Sequence, residues 1–211
     1  RGFNRLHRIT GGFKPSELIT IGARPGMGKT ALALTLGANA ATAGKRVLFF
    51  SLEMSYEQLW QRIIARASKC PVHSGDIHDD EWPEIEQEAA RLKALPLGID
   101  DSSALTALEI CARAAQYQRK NGLDIVFIDY LGFIKAADPK ANRVHQIEEI
   151  TGSLKGLAKT LQIPVVLLCQ LSRAVEGKDD KRPGLSDLCD SGCIEQDSDV
   201  VMFIYREEYY R

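Results

Sequence analysis

The chain has 211 residues, of which 45% are hydrophobic and 26% charged, and its 27 Lys and Arg residues against 28 Asp and Glu residues give a formal net charge of −1. This composition is typical of a globular domain and excludes a collagen, a coiled coil, a disordered tail and a disulfide-stapled miniprotein. A nearly neutral chain does not coat polyanions by bulk attraction, so we expect any contact with nucleic acid to be local.

Targeting signals and cysteine usage point to a cytoplasmic protein. No apolar run approaches the roughly 18 residues that can span a bilayer, and the first residues lack the layout of a signal peptide. The five cysteines are odd in number and mostly far apart, as is typical of thiols in a reducing compartment. Because the chain begins without Met and stops at Arg211 soon after a strand-like run, we also expect it to be a piece of something larger.

Apolar runs of strand length alternate with helical patterns along the chain. The predicted strands are Leu18 to Ala23, Arg46 to Leu52, Leu97 to Ile99, Ile125 to Tyr130, Pro164 to Leu171 and Val200 to Tyr205. The predicted helices are Lys29 to Thr42, Tyr56 to Ser68, Asp80 to Leu95, Ala107 to Asn121 and Val144 to Leu161. Most strand runs are continuously apolar, which is typical of strands covered on both faces. The sequence therefore predicts an α/β fold of three layers around a mainly parallel sheet.

Local signals mark two helix starts and two loops. Ser55 and Thr106 each precede a predicted helix and have Gln or Glu three residues later, which is the spacing of a capping box. Polar, turn-rich segments at 136–142 and 172–185 each follow a strand. Both loops should therefore leave the carboxyl edge of the sheet, where open α/β folds hold their ligands.

A phosphate-binding motif lies between the first predicted strand and the first predicted helix, in the stretch Gly22-Ala23-Arg24-Pro25-Gly26-Met27-Gly28-Lys29-Thr30. Gly26 and Gly28 permit a tight turn whose N–H groups can face a phosphate. Lys29 supplies positive charge, and Thr30 supplies a hydroxyl for Mg²⁺. The strict P-loop pattern has Gly where this chain has Ala23, and the alternative interpretation is a glycine-rich turn with a solvated Lys.

Three other strands end in polar side chains that could complete a nucleotide site. Asp129 follows four apolar residues and is the candidate Mg²⁺ carboxylate, or else a strand-capping Asp at a turn. Glu53 can deprotonate an attacking water if its strand neighbours the P-loop strand, and is otherwise a charge at a helix N-terminus. Gln170 can hydrogen-bond a γ-phosphate oxygen or DNA-facing backbone. Together these residues predict one site built from four strand ends.

The order of these motifs resembles the C-terminal motor domain of bacterial and phage replicative helicases of the DnaB type. The resemblance is carried by Gly2-Phe3 with Leu6, Pro15 to Leu18, Ala23 to Thr30, Ser51 to Ser55, Phe127 to Leu131, Cys169 to Arg173, Lys181 to Pro183, Leu185 to Leu188, Ser191-Gly192, Ile194 to Asp197 and Asp199 to Arg206. It implies a RecA-like P-loop NTPase fold and a hexameric ring that translocates on single-stranded DNA with ATP hydrolysis to unwind the duplex at the replication fork. A primase and a helicase loader are candidate partners.

The resemblance also implies roles for individual residues. The catalytic residues that it implies are Lys29, Glu53 as the base and Gln170 as the γ-phosphate sensor. The residues that it implies for ATP and Mg²⁺ are Ala23, Arg24, Pro25, Gly26, Met27, Gly28, Lys29, Thr30 and Arg206 for the nucleotide, and Thr30 and Asp129 for the metal. The DNA-binding residues that it implies are Arg173, Lys181, Arg182, Asp190 and Gly192. For the charged side chains of this set, a solvated loop is the alternative.

Three departures from the family pattern qualify these expectations. Cys189-Asp190 stands where the family usually has Arg-Glu, which removes a cation from a DNA-contacting loop, although backbone amides around Gly192 can still contact a phosphate. The family's Tyr-Leu-Gln run appears here as Tyr130-Leu131-Gly132. We expect residues 1–211 to form one RecA-like ATPase domain that lacks the family's amino-terminal domain and the Lys-x-Arg-Asn-Gly run with its arginine finger. Such a chain should bind ATP·Mg²⁺, hydrolyse it slowly, unwind nothing and assemble weakly.

Two other functions remain open at this point. Another RecA-like ATPase, of the recombinase or clock type, would share Lys29, Asp129 and the fold. A nucleotide-binding module for assembly or loader docking would keep the P-loop with a vestigial ATPase, and the substituted Cys189-Asp190 segment slightly favours it.

Overall fold

A sheet of six parallel strands runs through the protein, whose computed structural model describes residues 3–72, 75, 77–188 and 191–210. The strands are β1 (Leu18–Ala23), β2 (Val47–Ser51), β3 (Leu97–Asp100), β4 (Ile125–Asp129), β5 (Val165–Gln170) and β6 (Val200–Phe203). Their order across the sheet is β3-β2-β4-β5-β1-β6, and each neighbouring pair is parallel. The predicted parallel sheet is confirmed, with some strand ends shifted by one or two residues.

Helices cover this sheet on both faces. They are α1 (Asn4–Thr10), α2 (Lys29–Thr42), α3 (Tyr56–Ser68), α4 (Trp82–Lys93), α5 (Ala107–Asn121), α6 (Arg143–Leu161) and α7 (Ser191–Asp197). The five predicted helices are present. α4 begins at Trp82 rather than Asp80, because Pro83 fits the first turn, where its missing N–H costs no helical hydrogen bond. α1 and α7 lie outside the predicted helices, since seven residues are too few to show a helical period.

Both predicted capping boxes are formed. The Ser55 side chain accepts from the backbone N–H of Gln58, and the Gln58 side chain accepts from the backbone N–H of Ser55 at 3.1 Å. Thr106 and Glu109 make the same reciprocal pair at the start of α5, with the Thr106 N–H 2.8 Å from Glu109 Oε2. These bonds satisfy N–H groups that the first helical turn leaves without a partner.

Alternate side chains of each central strand pack on opposite faces of the sheet. Phe50 and Ile128 belong to the core beneath α5 and α6. Phe49 and Phe127 belong to the core beneath α2 and α3, where their rings stack with centroids 5.8 Å apart. The three predicted layers are therefore confirmed. Among the helices that the structure describes, none is long and apolar enough to cross a membrane.

Strand register aligns the polar strand ends at one edge. Ala23 of β1 lies opposite Gln170 of β5, and Ser51 of β2 lies opposite Asp129 of β4. The residues that follow β1, β2, β4 and β5 therefore leave the sheet at its carboxyl edge, as in other open α/β folds.

Candidate active site

The turn between β1 and α2 is shaped as a phosphate-binding loop. Gly26 and Gly28 have φ angles of 75° and 90°, a left-handed conformation that side chains with a Cβ rarely adopt. Gly28 is also the N-cap of α2 and has no side chain that could cap the helix. The N–H groups of the first turn of α2 therefore remain available to an anion, where the helix dipole favours negative charge.

Thr30 and Asp129, the two residues predicted to hold Mg²⁺, are in direct contact. The Thr30 hydroxyl donates to Oδ2 of Asp129 at 2.5 Å, although Asp129 is only 1% exposed. The other oxygen, Oδ1, is buried and has no hydrogen-bond partner among the residues that the structure describes. A buried carboxylate oxygen without a donor is costly, and a hydroxyl beside a carboxylate is a donor set that suits Mg²⁺. These residues therefore fit the predicted metal.

Lys29 is held between an acid and an aromatic ring. Its ammonium lies 3.7 Å from Oδ1 of Asp129 and 3.7 Å from the centroid of the Tyr130 ring. Burial lowers the pKa of Lys29, and the nearby carboxylates of Asp129 and Glu53 oppose that shift. A bound phosphate would add negative charge beside the ammonium and raise this pKa, so phosphate binding and the charged form of Lys29 favour each other.

Glu53 and Gln170 reach the same cavity as the P-loop. This cavity has a volume of about 580 Å³ and is lined by Lys29, Thr30, Glu53, Gln170 and other P-loop residues. β2 is not next to β1, because β4 and β5 lie between them. The strand adjacency on which a catalytic Glu53 was predicted is therefore not observed, yet the exposed Glu53 faces the cavity from the turn after β2.

The remaining residues predicted to bind nucleotide lie at different depths. Ala23 and Pro25 line the cavity, whereas Met27 is 3% exposed and is not among its lining residues. Arg24 lines the cavity, but its guanidinium donates away from it, to Glu176 and to the Leu171 carbonyl. Arg206 is exposed after β6 and does not line the cavity.

The structure adds cavity residues that were not predicted from the sequence. Gln58 and Arg62 of α3 line the cavity, as does Tyr130 after β4. Gln58 and Arg62 are four residues apart on α3, the helix that follows Glu53, and this spacing places both side chains on one helical face. Tyr209 lies close to the P-loop, since a Cβ on Gly26 would be 3.4 Å from Tyr209 Cε2.

The segment that leads to the predicted loop at 136–142 leaves the sheet after β4. Its opening residues form a short 3₁₀ helix, Leu131–Phe133. The Tyr130 and Phe133 rings meet edge to face with centroids 4.9 Å apart, and Phe133 is 43% exposed. The residues that contact Lys29 are therefore continuous with this loop.

The second predicted loop, residues 172–185, carries most of the predicted DNA-binding side chains, and we use the term second loop for the segment 172–187 that the structure shows before Leu188. Arg173 and Arg182 are exposed and have no ion pair among the described residues. The Lys181 ammonium instead donates to the carbonyls of Glu176 and Lys178, at 2.7 and 2.5 Å. Gly192 is exposed in α7, and Asp190 lies outside the described residues, as does Cys189.

Asp187 is a buried acid at the end of this second loop and binds two other loop residues, Lys178 and Gly184. It is 1% exposed and lies 2.5 Å from the Lys178 ammonium. Burial raises the pKa of Asp187, but hydrogen bonds from Lys178 and the Gly184 N–H outweigh it, so the pKa lies below its usual value. Lys178 is therefore engaged within the loop, and the cations that project from it toward solvent are Arg173 and Arg182.

Comparisons with known proteins agree with this geometry. The sequence matches the family described as DnaB-like helicase C terminal domain over residues 1–211. A replicative DNA helicase DnaB from Rickettsia bellii (strain RML369-C) is 47% identical over 94% of this chain and 43% of its own length. The corresponding protein of Haemophilus influenzae is 47% identical over 99% of this chain and 46% of its own length. This chain thus spans less than half the length of these relatives.

Solved structures give the same result. One of them, described as an ATPase domain, superposes with a TM-score of 0.95 at 36% identity, covering 99% of this chain and 76% of that one. A DnaB-like replicative helicase, solved in a study of its interactions with primase, superposes with a TM-score of 0.94 at 36% identity, covering 99% of this chain and 52% of that one. The RecA-like fold is confirmed, and the chain belongs to the DnaB-like helicase C-terminal domain family.

Proposed function

We propose that this chain is the ATP-hydrolysing motor domain of a replicative DNA helicase, which moves along single-stranded DNA and unwinds the duplex at the fork. The observation that carries the proposal is the convergence of Lys29, Thr30, Glu53 and Gln170, from three strand ends, on one cavity. Asp129, at a fourth strand end, is buried and contacts both Lys29 and Thr30. A nucleotide-binding turn alone would need neither an acid facing the cavity nor a buried acid on the Thr30 hydroxyl.

Each residue has a distinct part in this proposal. Lys29 and the N–H groups of the P-loop bind the outer phosphates of ATP. Thr30 and Asp129 would hold Mg²⁺, which would supply positive charge to neutralise the phosphates. Glu53 orients and deprotonates the attacking water. Gln170 hydrogen-bonds the γ-phosphate and so distinguishes ATP from ADP.

The DNA and protein partners that we propose for this chain are suggested by its family. We propose single-stranded DNA as the track, with Arg173, Lys181, Arg182 and Gly192 on the side that faces it. We propose a hexameric ring, with primase and a helicase loader as further partners, because one structural neighbour is described with its primase interactions. We also propose a cytoplasmic location, where ATP and the replicating DNA are present.

Nucleotide binding tests the site directly. We expect Lys29→Ala to weaken the binding of a fluorescent ATP analogue with Mg²⁺ by about 10–150-fold, the equivalent of a hydrogen bond to a charged group. Lys45→Ala removes an exposed Lys outside the cavity and should leave this affinity unchanged. Glu53→Gln should keep the affinity and abolish the slow hydrolysis that we expect of the wild-type chain. Equal affinity of the Lys29 and Lys45 variants would contradict the proposal.

The DNA activity is tested in the full-length protein. Strand separation of a forked duplex, abolished by Lys29→Ala, is the expected result. Strand exchange without strand separation would instead support a recombinase, and unwinding that survives Lys29→Ala would support a module with a vestigial ATPase.

A further inference from the structure

Arg24 is the first residue after β1 and lies within the P-loop, but its side chain points away from the phosphate-binding turn. The guanidinium donates from Nε and Nη2 to Oε1 of Glu176, at 2.9 and 2.7 Å, and from Nη1 to the Leu171 carbonyl at 2.8 Å. The bonds to Glu176 are charge-assisted, and Arg24 is buried at 7% exposure, whereas the Glu176 side chain is 43% exposed. They join residues 152 positions apart in sequence, one beside the nucleotide and one in the second loop.

The second loop is itself tied into a single unit. Its two ends are paired, because Leu171 bridges Leu188 and the Ser172 N–H donates to the Asp187 carbonyl at 2.8 Å. Within the loop, the Lys178 ammonium pairs with Asp187, and the Lys181 ammonium donates to the carbonyls of Glu176 and Lys178. Residues 172–187 are therefore joined to one another by internal contacts, as in other compact Ω-type loops.

Glu176 shares a short 3₁₀ helix, Arg173–Gly177, with one of the candidate DNA-binding cations. Arg173 lies one turn before Glu176 on this helix, whereas Arg182 lies further along the same loop. An acid so close to a DNA-facing cation would normally repel phosphate. Because the buried Arg24 neutralises Glu176, the loop carries this acid while Arg173 keeps its charge for DNA.

From these contacts we infer that Arg24 is a positioning residue that couples the P-loop to the second loop through Glu176, so that nucleotide binding orients the DNA-facing cations. The inference rests on the proposed function, since it needs both ligands. It differs from the γ-phosphate sensing proposed for Gln170, because the Arg24 contacts are made by a residue of the nucleotide-binding turn itself.

The inference is tested by measuring the thermodynamic coupling between nucleotide binding and DNA binding. If nucleotide changes the affinity for single-stranded DNA by some factor, typically about 5–150-fold for coupled sites, the loss of the Arg24–Glu176 contact moves that factor toward one. The probe is fluorescently labelled oligo(dT), titrated with this chain in the presence of Mg²⁺ with ATP analogue, with ADP or without nucleotide. Glu176→Gln keeps one acceptor for Arg24, and Glu176→Ala keeps none.

Asp179→Asn is the matched control, because it removes one carboxylate from the same loop at an exposed position. Simple electrostatics predicts that either loss of negative charge tightens DNA binding. We expect this for Asp179→Asn, with the coupling factor unchanged. We expect the opposite for Glu176→Gln, a weaker affinity and a smaller coupling factor, with Glu176→Ala lower still.

Further measurements distinguish a variant that fails to fold from a folded variant that contradicts the inference. Circular dichroism and urea denaturation identify a variant that is unfolded, and if Glu176→Ala is one, the Gln and Asn variants decide. Hydrogen exchange of residues 172–187 should slow on nucleotide binding in the wild-type chain and not in Glu176→Gln. A wild-type coupling factor that persists in Glu176→Gln overturns the inference alone. No nucleotide dependence in the wild-type chain would overturn the proposed function together with it.

Discussion

Gly22 lies in β1, just before the P-loop, and a methyl group added at this position should lower the free energy of unfolding. It lies in the fully buried strand β1, opposite Cys169 of β5 and Phe203 of β6. A Cβ at Gly22 would lie 2.9 Å from Leu171 Cδ2 and 3.1 Å from Phe203 Cδ1. Leu171 is 1% exposed and packed in the core, so it has little room to move.

We therefore expect Gly22→Ala to lower the free energy of unfolding by about 1–3 kcal/mol, the usual cost of an overpacked core. In a domain of this size, each kcal/mol corresponds to a fall of about 2–4 °C in the melting temperature. Since the Leu171 carbonyl is the acceptor for Arg24, a displaced Leu171 should also disturb the contact between the P-loop and the second loop.

Gly37→Ala is the matched control for this prediction. Gly37 lies within α2, where an added Cβ would be 3.6 Å from Phe127 Cε2, an ordinary contact distance. The same chemical change should stabilise the protein by roughly 0.5–1 kcal/mol, because Ala loses less backbone entropy in a helix. Urea denaturation measures both variants, with the m value as the check on the unfolded state. Equal shifts of the midpoint in both variants would refute the steric reasoning.

Two further predictions concern charge. Hydrogen bonds from Arg46 hold the pKa of Asp124 at about 2, below its usual 3.8, so Asp124 stabilises the fold above its unfolded pKa, and this contribution is lost as the pH falls through that range. Asp124→Asn should therefore be less stable than wild type near neutral pH, with a difference that shrinks below about pH 4 in urea denaturation. If only Arg173 and Arg182 contact DNA phosphates, log K for oligo(dT) should fall with log salt at a slope of about −1.4 per chain, whereas participation of Lys178 and Lys181 would give about −2.8.

The fold and the position of the candidate site residues at the carboxyl edge were predictable, because both depend on local pattern. Continuously apolar runs specify buried parallel strands, and a polar residue at the end of such a run must lie at the carboxyl edge. Asp129 and Gln170 were found by this rule alone. The start of α4 also has a local signal, because Pro83 favours the first turn of a helix and so indicates a start near Trp82.

Strand order and side-chain direction could not be predicted in this way. The pairing of β2 with β4 rather than β1 depends on long-range contacts, so the position of Glu53 relative to the P-loop had no local signal. Arg24 stands within the phosphate motif, but its direction is decided by Glu176, far away in the sequence. A motif fixes the path of a turn more firmly than it fixes where each side chain points.

The candidate site differs from the rest of the fold because it buries ionisable groups at the carboxyl edge of the sheet. Ionised groups are normally kept out of apolar surroundings, because burial disfavours their charged forms. Here Asp129 is almost fully buried with one oxygen lacking a donor, and burial lowers the pKa of Lys29 beside it. The apolar cores on both faces of the sheet offset this local cost. A ligand that supplies both a cation for Asp129 and negative charge for Lys29 relieves both unfavourable burials at once, so such a ligand should bind the folded chain selectively and stabilise it.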